Sequence, residues 1–283
     1  MLNIKKILIP LDLQEINLTL VVLRQAALLA RHFHSEIILL HVVKPWTYIA
    51  GSEAAREILE QAIANEKEKL KNCCGPEFDA SVTKSIVVKG EPAREILRVA
   101  EDEKVDLIVM PTHGYGGFEK LILGSVTAKV LHRSECPVWT GAHIKEVSDE
   151  QAPIRNVLCA VDFSAHSPKT IRWAQNAATA FGAQLTLAHI TPGVEIYGPG
   201  GYHVLHEMKQ ELVNAATKQM ATIQEKLGTN AKVFIGSGDV AKVITQATEE
   251  TNADLLVVGS LGGRFGTTAY GIIRTSRVPV LNV

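Results

Sequence analysis

The chain has 283 residues, 46% hydrophobic and 21% charged, and its 29 basic and 30 acidic side chains leave a formal net charge of −1. That composition suits a globular protein with room for one large domain or two ordinary ones, and its longest apolar run falls short of a membrane span. The balanced charge offers no basic footprint for nucleic acid, and Cys73, Cys74, Cys136 and Cys159 are too irregularly spaced for a disulfide framework or a zinc site.

Taken in chain order, the opening MLNIKKILIPLDL passes from a short apolar core straight into a strand pattern with no small-residue cleavage site, so a cytoplasmic protein is expected. The first strand, KKILIPLDL, closes on Asp12, and a helix is predicted over about 18–33. SEIILLHVV follows as a second strand bearing His41, then a helix over about 52–72 and a third strand, TKSIVVK. A helix over about 92–103 leads to the apolar DLIVM, and a glycine-rich stretch connects this strand to a helix over about 125–133 and a last strand, CPVWT.

The second half repeats the first. KKILIPLDL reappears as RNVLCAVDF with Asp162 answering Asp12, and SEIILLHVV as AQLTLAHIT with His189 answering His41. KGEPAREILRVAEDEKVDLIVMPTHG aligns without a gap to SGDVAKVITQATEETNADLLVVGSLG at a constant offset of 148, so Gly90 meets Gly238, Asp106 meets Asp254 and Gly114 meets Gly262. The final strands, CPVWT and VPVLN, match at an offset of 142. Two homologous domains, 1–146 and 153–283, are therefore expected, joined by the charged, proline-bearing KEVSDEQAPIRN. Near-continuous Val/Ile/Leu strands alternating with helices predict an α/β protein of two tandem doubly wound parallel-sheet domains, each with strand order 3-2-1-4-5.

In such sheets ligands sit at the carboxyl ends of the strands where the winding reverses, here between strands one and four. Asp12 and the stretch MPTHGYGGFEKLILGSVTAKV meet there. The glycines serve either a plain strand-to-helix connection or a cradle of backbone N–H groups for a phosphate at the helix N-terminus. Ser125 reads as that helix's N-cap with Thr127 in its first turn, and either hydroxyl can serve a phosphate or the helix itself. Asp12 can accept from a ribose hydroxyl, help to hold a divalent metal, or bond nearby backbone.

This constellation resembles the universal stress protein family in its tandem-domain form, over nearly the whole chain. The resemblance rests on the strand-ending aspartates, the HVV and HIT ends of strand two, the GEPA and GDVA turns, and Gly-x-x-Gly, nine residues, Gly-Ser/Thr, the signature of nucleotide-binding members. It implies the adenine nucleotide alpha hydrolase-like fold and a stress-response regulator that binds ATP, with or without magnesium, or a related adenine nucleotide. Adenine and ribose would lie against Pro10, Leu11, Asp12, Val42 and Met110, with phosphates on His113, Gly114, Gly124, Ser125, Val126 and Thr127. The second site would use Asp162, Ile190, Gly259, Gly262, Gly266 and Thr267. The first half departs from the signature at Pro111, which replaces the first glycine and removes an N–H. The second keeps Gly259-Ser260-Leu261-Gly262 but has six residues fewer before Gly266-Thr267, so the first half is expected to be the chief nucleotide site.

No zinc-spaced Cys/His cluster, paired-carboxylate arrangement, nucleophile elbow or Walker A pattern occurs, so any ATP hydrolysis should be slow. His113, Lys120 and Arg264 sit on the glycine loops, where they either reach phosphate or are simply solvated. His41 and His189 read as core or supporting residues, His32 and His34 as partners of a helix C-terminus. GVEIYGPGGYH, 193–203, reads as a loop able to lid the second site. The apolar last strands predict edges that pair, either with each other or in a homodimer. The other class of function compatible with the two departures is a nucleotide-independent dimeric scaffold acting through protein partners.

Overall fold

In the computed structural model the described residues are 2–14, 16–44, 53–72, 83–112, 123–141, 154–193, 201–259 and 266–283. They form two compact units, one of Asn3–Gly141 and the other of Ala142–Val283 with Met1–Leu2. The first contains β1 (Lys6–Pro10), α1 (Ile16–Phe33), β2 (Glu36–Val43), α2 (Glu53–Asn72), β3 (Thr83–Lys89), α3 (Pro92–Asp102), β4 (Leu107–Met110), α4 (Ser125–Arg133) and β5 (Val138–Thr140). The second contains β6 (Asn156–Ala160), α5 (Ser167–Phe181), β7 (Gln184–Thr191), α6 (Gly201–Leu227), β8 (Lys232–Ser237), α7 (Val240–Glu250), β9 (Leu255–Val258), α8 (Thr267–Thr275) and β10 (Val280–Asn282).

Within the first unit the strands run β3-β2-β1-β4-β5, and within the second β8-β7-β6-β9-β10, with parallel pairing throughout each unit. This is the doubly wound α/β fold with strand order 3-2-1-4-5, present twice. Central strands are buried on both faces: Ile7, Leu8, Ile9 and Ile108 in the first unit, Val157, Leu158, Cys159 and Val257 in the second. Such strands need helices on both sides, which right-handed crossovers supply.

Two carboxylates repeat as fasteners at the amino ends of the sheets. Asp106 Oδ2 accepts the N–H groups of Lys5 and Lys6 at 2.8 and 2.9 Å, and Asp254 Oδ2 those of Arg155 and Asn156 at 2.8 and 3.0 Å. The paired GEPA and GDVA turns act as N-caps. Glu91 accepts from the Arg94 N–H and Asp239 from the Lys242 N–H, each at 2.9 Å. Lys129 of α4 also reaches Glu91 at 2.9 Å, and this bond, together with that from Arg94, holds the Glu91 carboxyl below its usual pKa.

The helix ends differ between units in one informative place. After α5 the chain turns on Gly182 at φ 65°, but after α1 the corresponding residue is His34, at φ 54°. His34 is therefore a left-handed C-terminal residue of the kind glycine usually supplies. The left-handed conformation costs a side-chain-bearing residue about 1–2 kcal/mol, and glycine gives back about 0.5–1 kcal/mol through its freer unfolded chain. His34→Gly should therefore stabilise the protein by about 0.5–1 kcal/mol, seen as a higher urea midpoint at unchanged m-value.

Candidate functional site

At the carboxyl end of β1 the ladder extends one residue further, with the Leu11 N–H donating to Leu40 O at 2.8 Å. The Leu11 carbonyl in turn accepts from His41 Nδ1 at 2.9 Å. A carbonyl only accepts, so Nδ1 carries the hydrogen, leaving Nε2 3.8 Å from a Glu66 carboxylate oxygen on α2. Asp12 follows on the surface, its Oδ1 accepting the Gln14 N–H at 3.1 Å.

β6 ends in the same way. The Val161 N–H donates to Ala188 O at 2.8 Å and His189 Nδ1 donates to Val161 O at 2.7 Å. Here Phe163, at φ 60°, lays its ring 4.0 Å from that of His189, centroid to centroid. Asp162 Oδ1 accepts both the Ser164 N–H at 2.9 Å and the Ser167 hydroxyl at 2.8 Å. Partial burial works to raise the pKa of Asp162, but the bonds from Ser164 and Ser167 outweigh it and hold the carboxyl below its usual value of 3.8.

One strand over, Met110 closes β4 with its side chain buried and its carbonyl accepting from the Gly141 N–H at 3.3 Å. Gly124, not Ser125, is the N-cap of α4. It has φ −56° and no side-chain cap bond, and Ser125 is the first helical residue. The cap has no side-chain bond because glycine carries no side chain; buried Thr127 donates from Oγ1 to the Pro111 carbonyl at 2.9 Å, and the Gly124 N–H donates to Thr112 O at 2.8 Å. Both bonds fasten the helix N-terminus to the end of β4. The first-turn N–H groups of Ser125, Val126 and Thr127 have no intrahelical acceptor and point to where an anion would lie.

The second unit has the same arrangement with other contacts. α8 begins after Gly266, again without a side-chain cap bond, and Thr267 is its first residue. Buried Ala269 takes the place of Thr127, so α8 lacks the hydroxyl that bonds the strand end in the first unit. Gly259 follows β9, and a Cβ there would overlap the Oγ1 of buried Thr170 on α5. In the first unit the same two places hold Pro111 and Val22, an exchange of both partners. Ile190 is buried and packs its Cδ1 where a Cβ on Gly236 of β8 would come within 2.9 Å.

The structure thus brings Pro10, Leu11, Asp12, Met110, Gly124, Ser125, Val126 and Thr127 to the neighbouring ends of β1, β4 and α4, with half-exposed Val42 at the end of β2. Asp162, Ile190, Gly259, Gly266 and Thr267 occupy the corresponding ends in the second unit. His113, Gly114, Gly262, Lys120 and Arg264 lie outside the described residues. Of the loop read as a lid, 201–203 belong to the backbone of α6, and 194–200 lie outside the described residues. Thr170, Ser167 and the carbonyl-locking role of the two histidines were missed in the sequence. The exchange at positions 22/170 and 111/259 is the signal that could have found Thr170. Among the described residues no group of three or more His, Cys, Asp or Glu side chains could hold a metal ion, and no helix is long and apolar enough to cross a membrane.

Two doubly wound units, each with a glycine N-cap on the helix that follows its fourth strand, define a tandem α/β protein. The universal stress protein family model matches residues 3–140 and again 153–283, and the chain belongs to that family. It is 32% identical over 151 residues to universal stress protein MJ0577 of Methanocaldococcus jannaschii, covering 47% of this chain and 92% of that protein. It is 24% identical over 229 residues to universal stress protein Rv2005c of Mycobacterium tuberculosis, covering 78% of this chain and 75% of that one. Among solved structures, a universal stress protein from Archaeoglobus fulgidus superposes with a TM-score of 0.63 at 25% identity, covering 98% of this chain and 95% of the other.

Two outcomes follow from these contacts. Gly259→Ala should cost about 1–3 kcal/mol through its collision with Thr170, and a Thr170→Ala background should recover most of that loss, as a double-mutant cycle in urea unfolding would read. Ser167→Ala should raise the Asp162 pKa towards 3.8, followed by carboxyl chemical shifts. A depressed carboxyl adds stability that is complete above its unfolded pKa and vanishes as pH falls through its folded one. The variant should therefore lose the contribution of Asp162 at a higher pH than the wild type.

Proposed function

We propose that this protein binds an adenine nucleotide, ATP with magnesium, at the carboxyl ends of β1 and β4, and acts as a stress-response regulator rather than as a metabolic enzyme. The observation that carries this reading is the uncapped N-terminus of α4, fastened by Thr127 and Gly124 to the end of β4 on the strand next to the one that ends at Asp12. Orphan N–H groups and the positive end of a helix dipole favour phosphate there. Asp12 would supply a carboxylate acceptor for a ribose hydroxyl, and the buried ends of β1 and β4 would give the base an apolar wall. The magnesium ion would travel with the triphosphate. The same parts at β6, β9 and α8 form a second, lesser site.

In this role the chain's own residues orient and enclose the nucleotide. No described side chain is placed as an activated nucleophile or a paired acid and base, so turnover should be slow. A second reading, a dimeric scaffold that works through protein partners without nucleotide, draws on Pro111, whose ring removes one N–H at the mouth of the first site.

Gly124→Asp separates binding from folding. Its φ suits any residue, and aspartate is a good N-cap, so stability should stay within a few tenths of a kcal/mol. Its carboxylate takes the place of the phosphate, and calorimetric titration with Mg-ATP should show an affinity at least about tenfold lower. If the wild type shows no heat of binding at millimolar ATP, the scaffold reading replaces this one.

A further inference from the structure

β8 forms one rim of the second sheet. Among the described residues it pairs with β7 alone, and its Lys232, Val233 and Ser237 are exposed, Val233 at 41%. The Gly238 N–H and the Gly236 carbonyl both bond Thr191 at the end of β7, at 3.0 and 3.1 Å. Backbone groups alternate in direction along a strand, so Phe234 also turns its N–H and C=O to β7, while Val233, Ile235 and Ser237 turn theirs outward. An open row of donors and acceptors on an apolar strand is the arrangement that recruits another strand.

The corresponding rim of the first sheet is guarded. β3 carries exposed Lys84 and Lys89 near its two ends, and Lys84 is tied to Glu103 at 2.8 Å. Charges of this kind discourage edge pairing. β8 has a single lysine, at its first position, followed by the apolar run Val233-Phe234-Ile235.

The sequence of β8 is also complementary to itself. Two copies related by a two-fold axis normal to the sheet pair antiparallel, and residues opposite one another then share a face. Centring on Ile235 sets Val233 against Ser237 and Ile235 against its own copy. All of these face outward, so each such pair exchanges two hydrogen bonds. The same register places Phe234 opposite Gly236, in the closer kind of pair, and an aromatic ring across the ladder from a strand glycine covers its bare backbone. At each end exposed Lys232 comes opposite Gly238, beside exposed Asp239, so opposite charges meet. A register two residues away, centred on Phe234, loses both the Phe234–Gly236 pairs and this charge match.

We propose that β8 is an interface between two copies of this chain, formed by antiparallel pairing about Ile235 that joins their second-unit sheets into one. The proposal is independent of the nucleotide reading and distinct from any pairing through β5 or β10. Two edges of 6 residues make an interface below about 1,200 Å², so the dimer should be reversible, forming at micromolar concentrations or above.

The test is sedimentation velocity of the nucleotide-free full chain from micromolar to millimolar concentration, on the wild type, Val233→Lys and Ile235→Pro. Val233 is exposed and the Ile235 N–H turns away from β7, so both variants should keep the fold, which thermal unfolding checks. The wild type should dimerise reversibly, and both substitutions should raise the dissociation constant at least about tenfold. Residue-resolved hydrogen exchange on the wild type reads the register without any substitution. On passing from dilute to concentrated protein, the amides of Val233, Ile235 and Ser237 should exchange at least about tenfold more slowly, while those of Phe234 and Gly236, already directed to β7, stay unchanged. A wild type that is monomeric at millimolar concentration overturns the inference and leaves the rim to an extended segment of another protein. A dimer whose affinity is the same in both folded variants, or whose protection falls elsewhere than on those outward amides, overturns it as well.

Discussion

In each unit one aspartate holds together two strands that are neighbours in space and about a hundred residues apart in the chain. Asp106 takes both N–H groups at the start of β1, and Asp254 those at the start of β6. Backbone bonds extend the same junction: the Asp106 N–H donates to Lys6 O and the Asp254 N–H to Asn156 O. Hydrogen bonds to a charged acceptor contribute about 1.5–3 kcal/mol each, which offsets much of the closure entropy of so long a loop. Everything at the other end of these strands depends on this junction. The winding reverses between β1 and β4 and between β6 and β9, and a crevice exists there only because these non-consecutive strands are held side by side.

At the carboxyl ends a second pair of residues takes over. Beyond the last paired residue of β1 and β6 the chain must leave the sheet, and the carbonyls of Leu11 and Val161 would otherwise lose their partners. His41 and His189 supply them. Each histidine sits on the neighbouring strand, so the aspartate that follows is presented from a fixed backbone rather than from a free loop. The two units then diverge in what covers the ring. Glu66 approaches His41 from α2, whereas Phe163 stacks on His189 from the same loop that carries Asp162. The second arrangement ties ring, carboxylate and loop into one local cluster.

The fold was legible because the chain states it twice: strand runs, helix bounds and the aligned Gly90/Gly238 and Asp106/Asp254 pairs all reappear as equivalent places in the two sheets. The site was legible at the level of which segments meet. Its chemistry was less so, because it depends on contacts between elements far apart in sequence. Ser125 satisfies the pattern of an N-cap, yet the helix begins one residue early and Gly124 occupies that position, with the Thr127 hydroxyl bonded to the Pro111 carbonyl. The pattern around His34 gave no sign that the turn after α1 places it in the left-handed region that Gly182 occupies in the other unit. Thr170 carries no local signal at all. Its importance is set by the absence of a side chain at Gly259, on another element.

The two units also differ at the position that breaks the signature. Where Thr170 stands behind the strand end, nothing larger than glycine fits at position 259. Where Val22 stands there, the chain carries Pro111 and recovers a helix fastening through the Pro111 carbonyl, which needs no N–H. The proline thus removes one donor from the mouth of the site while its carbonyl anchors Thr127 of α4. In the second unit the N–H of Gly259 is retained, and Ala269 leaves α8 without that anchor. Duplication makes this exchange possible: once two copies of a crevice exist in one chain, a fastening lost from one and a donor lost from the other no longer have to be tolerated by the same ligand.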